Sequence, residues 1–237
     1  MTTQSTRTAP TLARSRAALV ATASFALVVL VHLVGQLTGP EALRVGTQVL
    51  AMPLLALVLL AWTRAPRGHL ERWAVVGLGL SWLGDAAPKL AGDHSFLVMV
   101  GFFLLAQVAF VVAFWPRRAR SIASRGSRAW PLPLAVYAAV LAVFLWWCVP
   151  GAGALAVPVV LYGTVLVAMA VLSTGIHPLA ATGGALFVVS DGLIALNAFT
   201  DWYALGWLCF AVMSTYLAAQ ALLVAGVLAA NRLAHRR

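Results

Sequence analysis

The sequence predicts an all-α membrane protein, a polytopic bundle of about eight transmembrane helices with both termini in the cytoplasm. Of its 237 residues, 62% are hydrophobic and 9% are charged, which leaves too little polar surface to cover a water-soluble globule of this size. The net charge of +10 is divided among short basic clusters between apolar runs. That distribution is typical of membrane topology and argues against nucleic acid as a partner.

Eight apolar stretches have roughly the length of about 20 residues that a spanning helix needs. Turn signals such as Gly39-Pro40 and Pro150-Gly151 separate them, and the turn between the fifth and sixth is predicted at Val149-Pro150-Gly151. The predicted spans are Ala17–Leu37, Gly46–Thr63, Leu70–Leu90, Ser95–Trp115, Trp130–Val149, Ala152–Ser173, Leu179–Phe199 and Ala204–Asn231.

The two ends of the chain are predicted to be tails. Residues 1–16, rich in Thr, Ser and Ala, are expected to form a disordered cytoplasmic tail, followed by a transmembrane domain over residues 17–231 and a basic cytoplasmic tail over residues 232–237. The first span is expected to be retained, because its apolar run is longer than a typical signal-peptide core and no small-residue cleavage motif follows it.

Cationic residues set the predicted orientation, because Lys and Arg near helix ends are retained on the cytoplasmic side. With the N-terminus inside, only Arg44 and Lys89 of the 16 cationic residues fall outside. The sequence therefore predicts a multi-pass protein of the cell membrane, surrounded by membrane lipid.

Asp85 and Asp191 are the acidic residues that lie inside predicted spans, where an ionisable side chain is costly unless it serves a site. Counted from the cytoplasmic end at about 1.5 Å per residue, both lie roughly 18–22 Å across the bilayer. This common depth predicts a shared cavity, in which two carboxyl groups would not both be ionised near neutral pH. A structural role is the alternative, since Asp85 could pair with Lys89 one turn away.

Further polar side chains at similar depth predict a polar core within the bundle. Any one of them, His32 included, is more typical of an interhelical hydrogen bond than of a catalyst. The candidate substrate-binding residues are Ser81, Lys89, Gln107, Tyr162, Ser190, Asn197, Tyr216 and Gln220.

Metal and serine chemistry are not indicated. The histidines other than His32 lie at span ends or in tails, and no two histidines have ligand spacing on one helix, so no metal site is predicted. There is no Gly-x-Ser-x-Gly motif, and Cys148 and Cys209 form neither a disulfide framework nor a metal motif.

The chain resembles the YhhN/TMEM86 family. The resemblance lies in Leu83-Gly84-Asp85, Phe96, Gly101-Phe102, Leu161-Tyr162-Gly163, Met169, the stretch from Gly184 to Asp191, Tyr216 and Gln220. Characterised members of that family are lysoplasmalogenases, and the family's two intramembrane aspartates correspond to Asp85 and Asp191. The chain departs from the family at Gln107 and Phe110, where a His and a Tyr are often found.

The resemblance implies hydrolysis of the 1-alkenyl ether of a lysophospholipid, which releases a fatty aldehyde and a glycerophospho-ethanolamine or -choline. Protonation of the outer alkene carbon gives an oxocarbenium-like ion that water then captures. Such a reaction needs a carboxylic acid and a nearby carboxylate but no metal or other cofactor. The working hypothesis from sequence makes Asp85 the acid and Asp191 the ionised partner.

Two other classes of protein stay open at this stage. Proton-coupled transporters also need intramembrane acids, and Ala106-Gln107 and Ala219-Gln220 follow the two aspartates in a way that hints at a four-plus-four repeat. A non-catalytic lipid-binding membrane protein is the second alternative.

Overall fold

The computed structural model describes residues 9–124, 131–204 and 206–234. These residues form eight α-helices joined by short 3-10 helices and turns, without a strand, so the prediction of an all-α fold is confirmed. The helices are α1 (Ala9–Thr38), α2 (Glu41–Trp62), α3 (His69–Ala86), α4 (Ser95–Phe114), α5 (Leu132–Ala152), α6 (Ala156–Ser173), α7 (Pro178–Phe199) and α8 (Leu208–Ala234).

Six stretches of the described chain are long and apolar enough to cross a membrane, which makes this a multi-pass membrane protein. They are Ser15–Thr38, Glu41–Trp62, Gly92–Arg120, Leu132–Ser173, Pro178–Phe199 and Leu208–Leu233. The stretch Leu132–Ser173 contains both α5 and α6. Helix α3 is not among the six, since its 18 residues include Glu71, Arg72 and Asp85.

Several helix ends differ from the predicted spans. Helix α1 begins at Ala9, within the segment expected to be a tail, while residues 1–8 and 235–237 of the two predicted tails lie outside the described residues. Trp130, the predicted start of the fifth span, lies outside them as well. Helix α3 ends at Ala86 and gives way to a 3-10 turn, because Pro88 cannot donate the next helical hydrogen bond.

The turn between α5 and α6 was predicted at Val149-Pro150-Gly151, and that position is wrong. Helix α5 continues through Pro150 to Ala152, and the chain reverses at Gly153, whose φ of 51° suits a residue without a Cβ. Gly151 has another reason to be glycine: a Cβ there would lie 2.1 Å from the Phe199 carbonyl oxygen of α7. The residue that looked like a turn signal is therefore a point of close helix packing.

Small residues on α3 and α7 bring neighbouring helices close together. A Cβ on Gly77 would lie 2.9 Å from the Phe110 ring, and one on Gly183 would lie 2.8 Å from both the Ala219 carbonyl oxygen and the Leu223 nitrogen. Small residues at helix crossings let backbones approach, which is how helices associate in a membrane. The hairpins α3–α4 and α7–α8 are thereby held in close contact.

These two hairpins share one packing register. Gly77 precedes Asp85 by eight residues and Gly183 precedes Asp191 by eight, and their packing partners Phe110 and Leu223 each follow a glutamine by three. The glutamines are Gln107 and Gln220. The correspondence extends the repeat that the sequence suggests, and it places one aspartate in the first helix of each hairpin.

We predict that Gly183→Ala destabilises the protein by about 1–3 kcal/mol, since the new methyl meets backbone atoms that cannot move aside cheaply. Gly79→Ala on α3 is the control: its Cβ meets nothing within 4 Å, and alanine favours the helix by up to about 1 kcal/mol. Thermal unfolding in detergent measures both. Equal melting temperatures for the two variants would contradict the close packing of α7 on α8.

Candidate functional site

Asp85 lies in a cluster of hydrogen-bonding side chains from three helices. Its Oδ1 accepts a hydrogen bond from Gln48 Nε2 of α2 at 3.0 Å, and its Oδ2 accepts one from the Tyr216 hydroxyl of α8 at 2.9 Å. The side chain is 5% exposed. Gln48, Asp85, Lys89 and Tyr216 are called the Asp85 cluster below. The carboxyl group thus joins α2, α3 and α8.

Lys89 does not bond to the Asp85 carboxylate, the pairing that the sequence left open as a structural alternative. Its ammonium group donates instead to the main-chain carbonyl of Asp85 at 2.7 Å and to Gln48 Oε1 at 3.1 Å. The 3-10 turn after Ala86 carries Lys89 back over the end of α3, where that carbonyl is no longer used by the helix. The lysine therefore closes the cluster around the carboxyl group and leaves both carboxylate oxygens to other donors.

One helical turn from the cluster, a second hydrogen bond joins α3 to α8. Gln220 Nε2 donates to Ser81 Oγ at 2.9 Å, and both side chains are fully buried. Ser81 lies four residues before Asp85 on α3, and Gln220 lies four residues after Tyr216 on α8. Their hydrogen bond therefore supports the contact between Tyr216 and Asp85 one turn away.

Asp191 of α7 has a different partner. The Tyr162 hydroxyl of α6 donates to Asp191 Oδ2 at 2.5 Å. The adjacent Ser190 is directed away, donating to the Val212 carbonyl of α8 at 3.1 Å. Asn197, two turns further along α7, is exposed. Of these candidates, Tyr162 alone is brought to the Asp191 carboxyl group.

An apolar cavity lies between α4, α5, α6 and α7, and we call it the chain cavity. Its volume is about 110 Å³, whereas a cavity needs about 10–15 Å³ on a comparable measure to hold one water. Apart from Cys148, the Tyr162 hydroxyl and the Asp191 carboxyl are the polar side-chain groups of its lining. The residues that line it include Phe96, Leu97, Val100, Phe103, Leu141, Phe144, Leu145, Cys148, Leu155, Tyr162, Gly163, Asp191, Gly192, Ala195 and Phe199.

The lining of the chain cavity includes one of the two aspartates. The chain cavity includes Asp191 in its lining but not Asp85. Tyr216, which holds Asp85, packs edge-on against the rings of Phe103 and Phe187, with centroids 5.6 Å away in each case. Phe103 also lines the chain cavity, so aromatic rings lie between the cavity and the Asp85 cluster. The Tyr216 hydroxyl that donates to Asp85 is also within electrostatic range of Asp191.

Gln107 of α4 is fully buried, and neither atom of its amide has a hydrogen-bond partner within the described part of the chain. Buried amides in proteins are nearly always hydrogen-bonded. Gln107 lies one turn from Phe103 on α4, and its amide is close to the Tyr162 hydroxyl. The amide therefore lies beside the tyrosine that donates to Asp191.

Gln48 belongs to the site although it was not among the candidate substrate-binding residues. Its position inside an apolar span was the available signal, but depth alone did not link it to Asp85. His32, by contrast, contacts the Thr47 hydroxyl through Nδ1 at 2.8 Å and Gln36 Nε2 through Nε2 at 3.0 Å. The contact with Thr47 joins α1 to α2, whereas Gln36 lies one turn from His32 on α1 itself.

No group of three His, Cys, Asp or Glu side chains is placed to hold a metal ion in the described segments. Cys148 and Cys209 are both free, the first buried and the second exposed. The acid–base groups of the site are therefore carboxyl, hydroxyl and ammonium groups.

These features define a class of protein, a helical membrane bundle in which a carboxyl group faces an apolar cavity. The chain belongs to the YhhN family, whose model matches residues 43–227 and so covers both aspartates. Lysoplasmalogenases of Mycobacterium bovis and Mycobacterium tuberculosis are each 32% identical over 197 residues, covering 81% of this chain and 72% of the relative. Lysoplasmalogenase TMEM86B of Rattus norvegicus is 31% identical over 185 residues, covering 78% of this chain and 73% of that protein. No solved structure matches the chain.

We predict that Tyr216→Phe destabilises the protein by about 1–3 kcal/mol, because it leaves a buried carboxylate oxygen of Asp85 without its donor. Tyr137→Phe, on α5 and away from both carboxyl groups, is the matched control. Thermal unfolding of the two purified variants measures the difference. An unchanged melting temperature for Tyr216→Phe would mean that the hydroxyl does not hold Asp85.

Proposed function

We propose that this protein is a lysoplasmalogenase, which hydrolyses the vinyl ether bond of 1-alkenyl lysophospholipids. The products are a fatty aldehyde and a glycerophospho-ethanolamine or -choline. The observation that carries the proposal is the Asp191 carboxyl group, held by Tyr162 in the wall of an otherwise apolar cavity. Relatives named lysoplasmalogenase, about 30% identical over most of the chain, support the same reaction.

A vinyl ether breaks down when its outer alkene carbon is protonated. The resulting oxocarbenium ion adds water at the carbon attached to oxygen, and the hemiacetal collapses to the aldehyde and the free glycerol hydroxyl. The proton must be delivered to carbon within the hydrocarbon part of the substrate. A carboxylic acid in the wall of an apolar cavity meets that requirement.

The hydrogen bonds support Asp191 as the proton donor and Asp85 as the ionised group, the reverse of the hypothesis from sequence. Asp85 accepts from two donors and lies near the Lys89 ammonium group, all of which favour a carboxylate. Asp191 accepts one hydroxyl hydrogen bond at Oδ2, which leaves Oδ1 available to carry a proton towards the cavity. Tyr162 keeps the carboxyl group in that orientation.

Water addition completes the cycle in this scheme. Once Asp191 has given its proton to the alkene carbon, its carboxylate accepts a proton from the attacking water and the acid is regenerated. Gln107, with its amide unpaired, is the proposed partner for that water. The negative charge of Asp85 stabilises the oxocarbenium ion electrostatically within the poorly solvated bundle.

We predict that Asp191→Asn lowers kcat by about 10²–10⁴-fold, the usual contribution of a positioned general acid. Asp85→Asn lowers it by less, because that residue acts on the charge of the intermediate without transferring the proton. Asp93→Asn, in an exposed turn before α4, is the control and keeps the wild-type rate.

Aldehyde release from defined alkenyl, alkyl and acyl lysolipids measures these rates, with size-exclusion and thermal unfolding profiles to confirm that each variant is folded. Wild-type turnover in folded Asp191→Asn would remove the proposed acid. Cleavage of acyl lysolipids alone would rule out vinyl ether chemistry.

The proposed topology has eight crossings, with the N- and C-termini in the cytoplasm. Helix α3 is the crossing of lowest hydropathy. It is tolerated because Glu71 and Arg72 fall in its first turn and the Asp85 carboxyl accepts hydrogen bonds from two other helices, α2 and α8. The amide of Asn231, near the end of α8, donates to Glu71, which places the end of α8 beside the start of α3.

Cysteine accessibility tests this topology. In a Cys209→Ser background, we expect a membrane-impermeant maleimide to label Asp93→Cys in intact cells and to leave Arg118→Cys and Arg237→Cys unlabelled until the cells are opened. The exposed loop residues Asp93 and Arg118 precede and follow α4. Labelling of Arg237→Cys from outside would contradict both the even number of crossings and the cytoplasmic C-terminus.

A proton-coupled transporter is the second candidate, favoured by the shared register of the α3–α4 and α7–α8 hairpins. Internal repeats of this kind are common in secondary transporters. Substrate-dependent proton uptake by proteoliposomes, without aldehyde release, would identify that activity instead.

A further inference from the structure

We propose that the chain cavity binds the hydrocarbon chain of a single-chain lipid, which enters sideways between α4 and α5, and that Ala195 determines the chain length accepted. The inference rests on the proposed function, since it assigns the substrate's hydrocarbon to one part of the same site. It adds an entry route, a direction for the chain and a specificity-determining residue.

The chemistry of the cavity wall fits a hydrocarbon with one reactive end. The Asp191 carboxyl and the Tyr162 hydroxyl lie on α7 and α6 near the middle of the bundle. From there the lining follows α7 through Ala195 to Phe199, and it is formed by Phe, Leu, Val, Ile, Met, Pro, Ala, Gly and Cys148. An alkyl chain fits such a wall without leaving a polar group unpaired, whereas a glycerophosphate group would find no partner along it.

The packing of α5 leaves the cavity open on one side. Helix α5 packs against α6 and α7, and α4 packs against α3 and α6, so the cavity lies where α4 and α5 face each other across a gap. Leu97 of α4 lines the cavity and is 49% exposed, which places it at the opening. In a membrane this opening faces lipid, and a chain can pass through it without crossing water.

The far end of the cavity is closed by two aromatic rings. Phe96 at the start of α4 and Phe199 at the end of α7 pack edge to face, with centroids 5.8 Å apart. Asp191 and Phe199 are eight residues apart on α7, or about 12 Å at 1.5 Å per residue. A long hydrocarbon chain exceeds that distance. Its terminal part therefore bends out through the α4–α5 opening into the lipid.

Ala195 lies between these two ends, one turn beyond Asp191 on the same helix, and its small side chain lines the cavity. A bulky residue at this position would fill the path of the chain beyond its first few carbons without touching the hydrogen bond between Tyr162 and Asp191. Ala198, also on α7, is exposed and does not line the cavity. It provides a matched control for size and hydrophobicity.

The first test measures chain selectivity. We expect Ala195→Phe to lower kcat/KM for long-chain alkenyl lysolipids by at least about tenfold, a loss equivalent to about 1.4 kcal/mol of transition-state binding. Short-chain alkenyl lysolipids should be cleaved nearly as before. Ala198→Phe should match the wild type with both. Equal losses for long and short chains in Ala195→Phe would overturn the assignment of Ala195.

The second test needs no turnover and uses Cys148, a buried cysteine in the cavity wall. In lipid nanodiscs, with Cys209→Ser removing the exposed cysteine, a long-chain alkyl methanethiosulfonate should modify Cys148. An uncleavable 1-alkyl lysolipid at ten times its Kd should slow that reaction about tenfold, by mass action on the free site. A diacyl phospholipid should not slow it. Mass spectrometry of the intact protein measures the modified fraction.

The outcomes separate this inference from the proposed function. Protection of Cys148 by the alkyl lysolipid, abolished by Ala195→Phe but kept by Ala198→Phe, supports the chain site even if no aldehyde is ever released. Aldehyde release without such protection would leave the enzyme assignment intact and overturn the chain cavity as the binding site. Equal protection by diacyl lipid would overturn the selectivity for a single-chain lipid.

Discussion

The hydrogen bond from Tyr162 to Asp191 is the contact on which the proposed chemistry depends, because it fixes a carboxyl group in the wall of an apolar cavity. A carboxyl group surrounded by hydrocarbon needs either donors or a proton, and this one has a single hydroxyl donor. The geometry in turn requires α6 to lie close to α7. At Gly184 a Cβ would lie 2.5 Å from Ser173 Oγ and 2.9 Å from Ala170 Cα, so glycine permits that approach.

Asp85 presents the opposite arrangement at a similar depth. Donors from α2 and α8 and the lysine of its own helix end surround it, and aromatic rings separate it from the cavity. In the proposed mechanism Asp85 therefore remains a carboxylate and Asp191 carries the proton. The matched register of the two hairpins gives the aspartates equivalent positions on α3 and α7, while different neighbours on α2 and α6 account for their different partners.

The helices, the family and both aspartates could be predicted from the sequence, because hydropathy and charge clustering act locally along the chain. Which side chains come together in the site could not be predicted. Depth along a helix does not specify the direction of a side chain around its axis, so it could not show that Phe103 lines the chain cavity and packs against Tyr216, the donor to Asp85. Ser190 was misleading for the same reason, since its hydroxyl is directed at α8 and not at the cavity.

Two local sequence patterns, a turn signal and an ion-pair spacing, have a different meaning in the structure. Pro150-Gly151 was expected to end α5, yet the helix continues to Ala152 because Gly151 is needed where Phe199 of α7 comes close. Lys89 was four residues from Asp85, the spacing of a helical ion pair, but the helix ends at Ala86 and the spacing no longer applies. Both differences arise from contacts with other helices, which a local pattern does not contain.

The central claim is that a carboxylic acid protonates the alkene carbon of a substrate inside the bundle, and hydrolysis in heavy water tests it most directly. The acid proton exchanges with solvent, so the account predicts an aldehyde with one deuterium at C2. The released aldehyde is trapped rapidly. Unlabelled aldehyde added to the same mixture measures how much deuterium enters C2 by exchange after release. Aldehyde released without deuterium at C2 would contradict protonation at carbon and with it the role of Asp191.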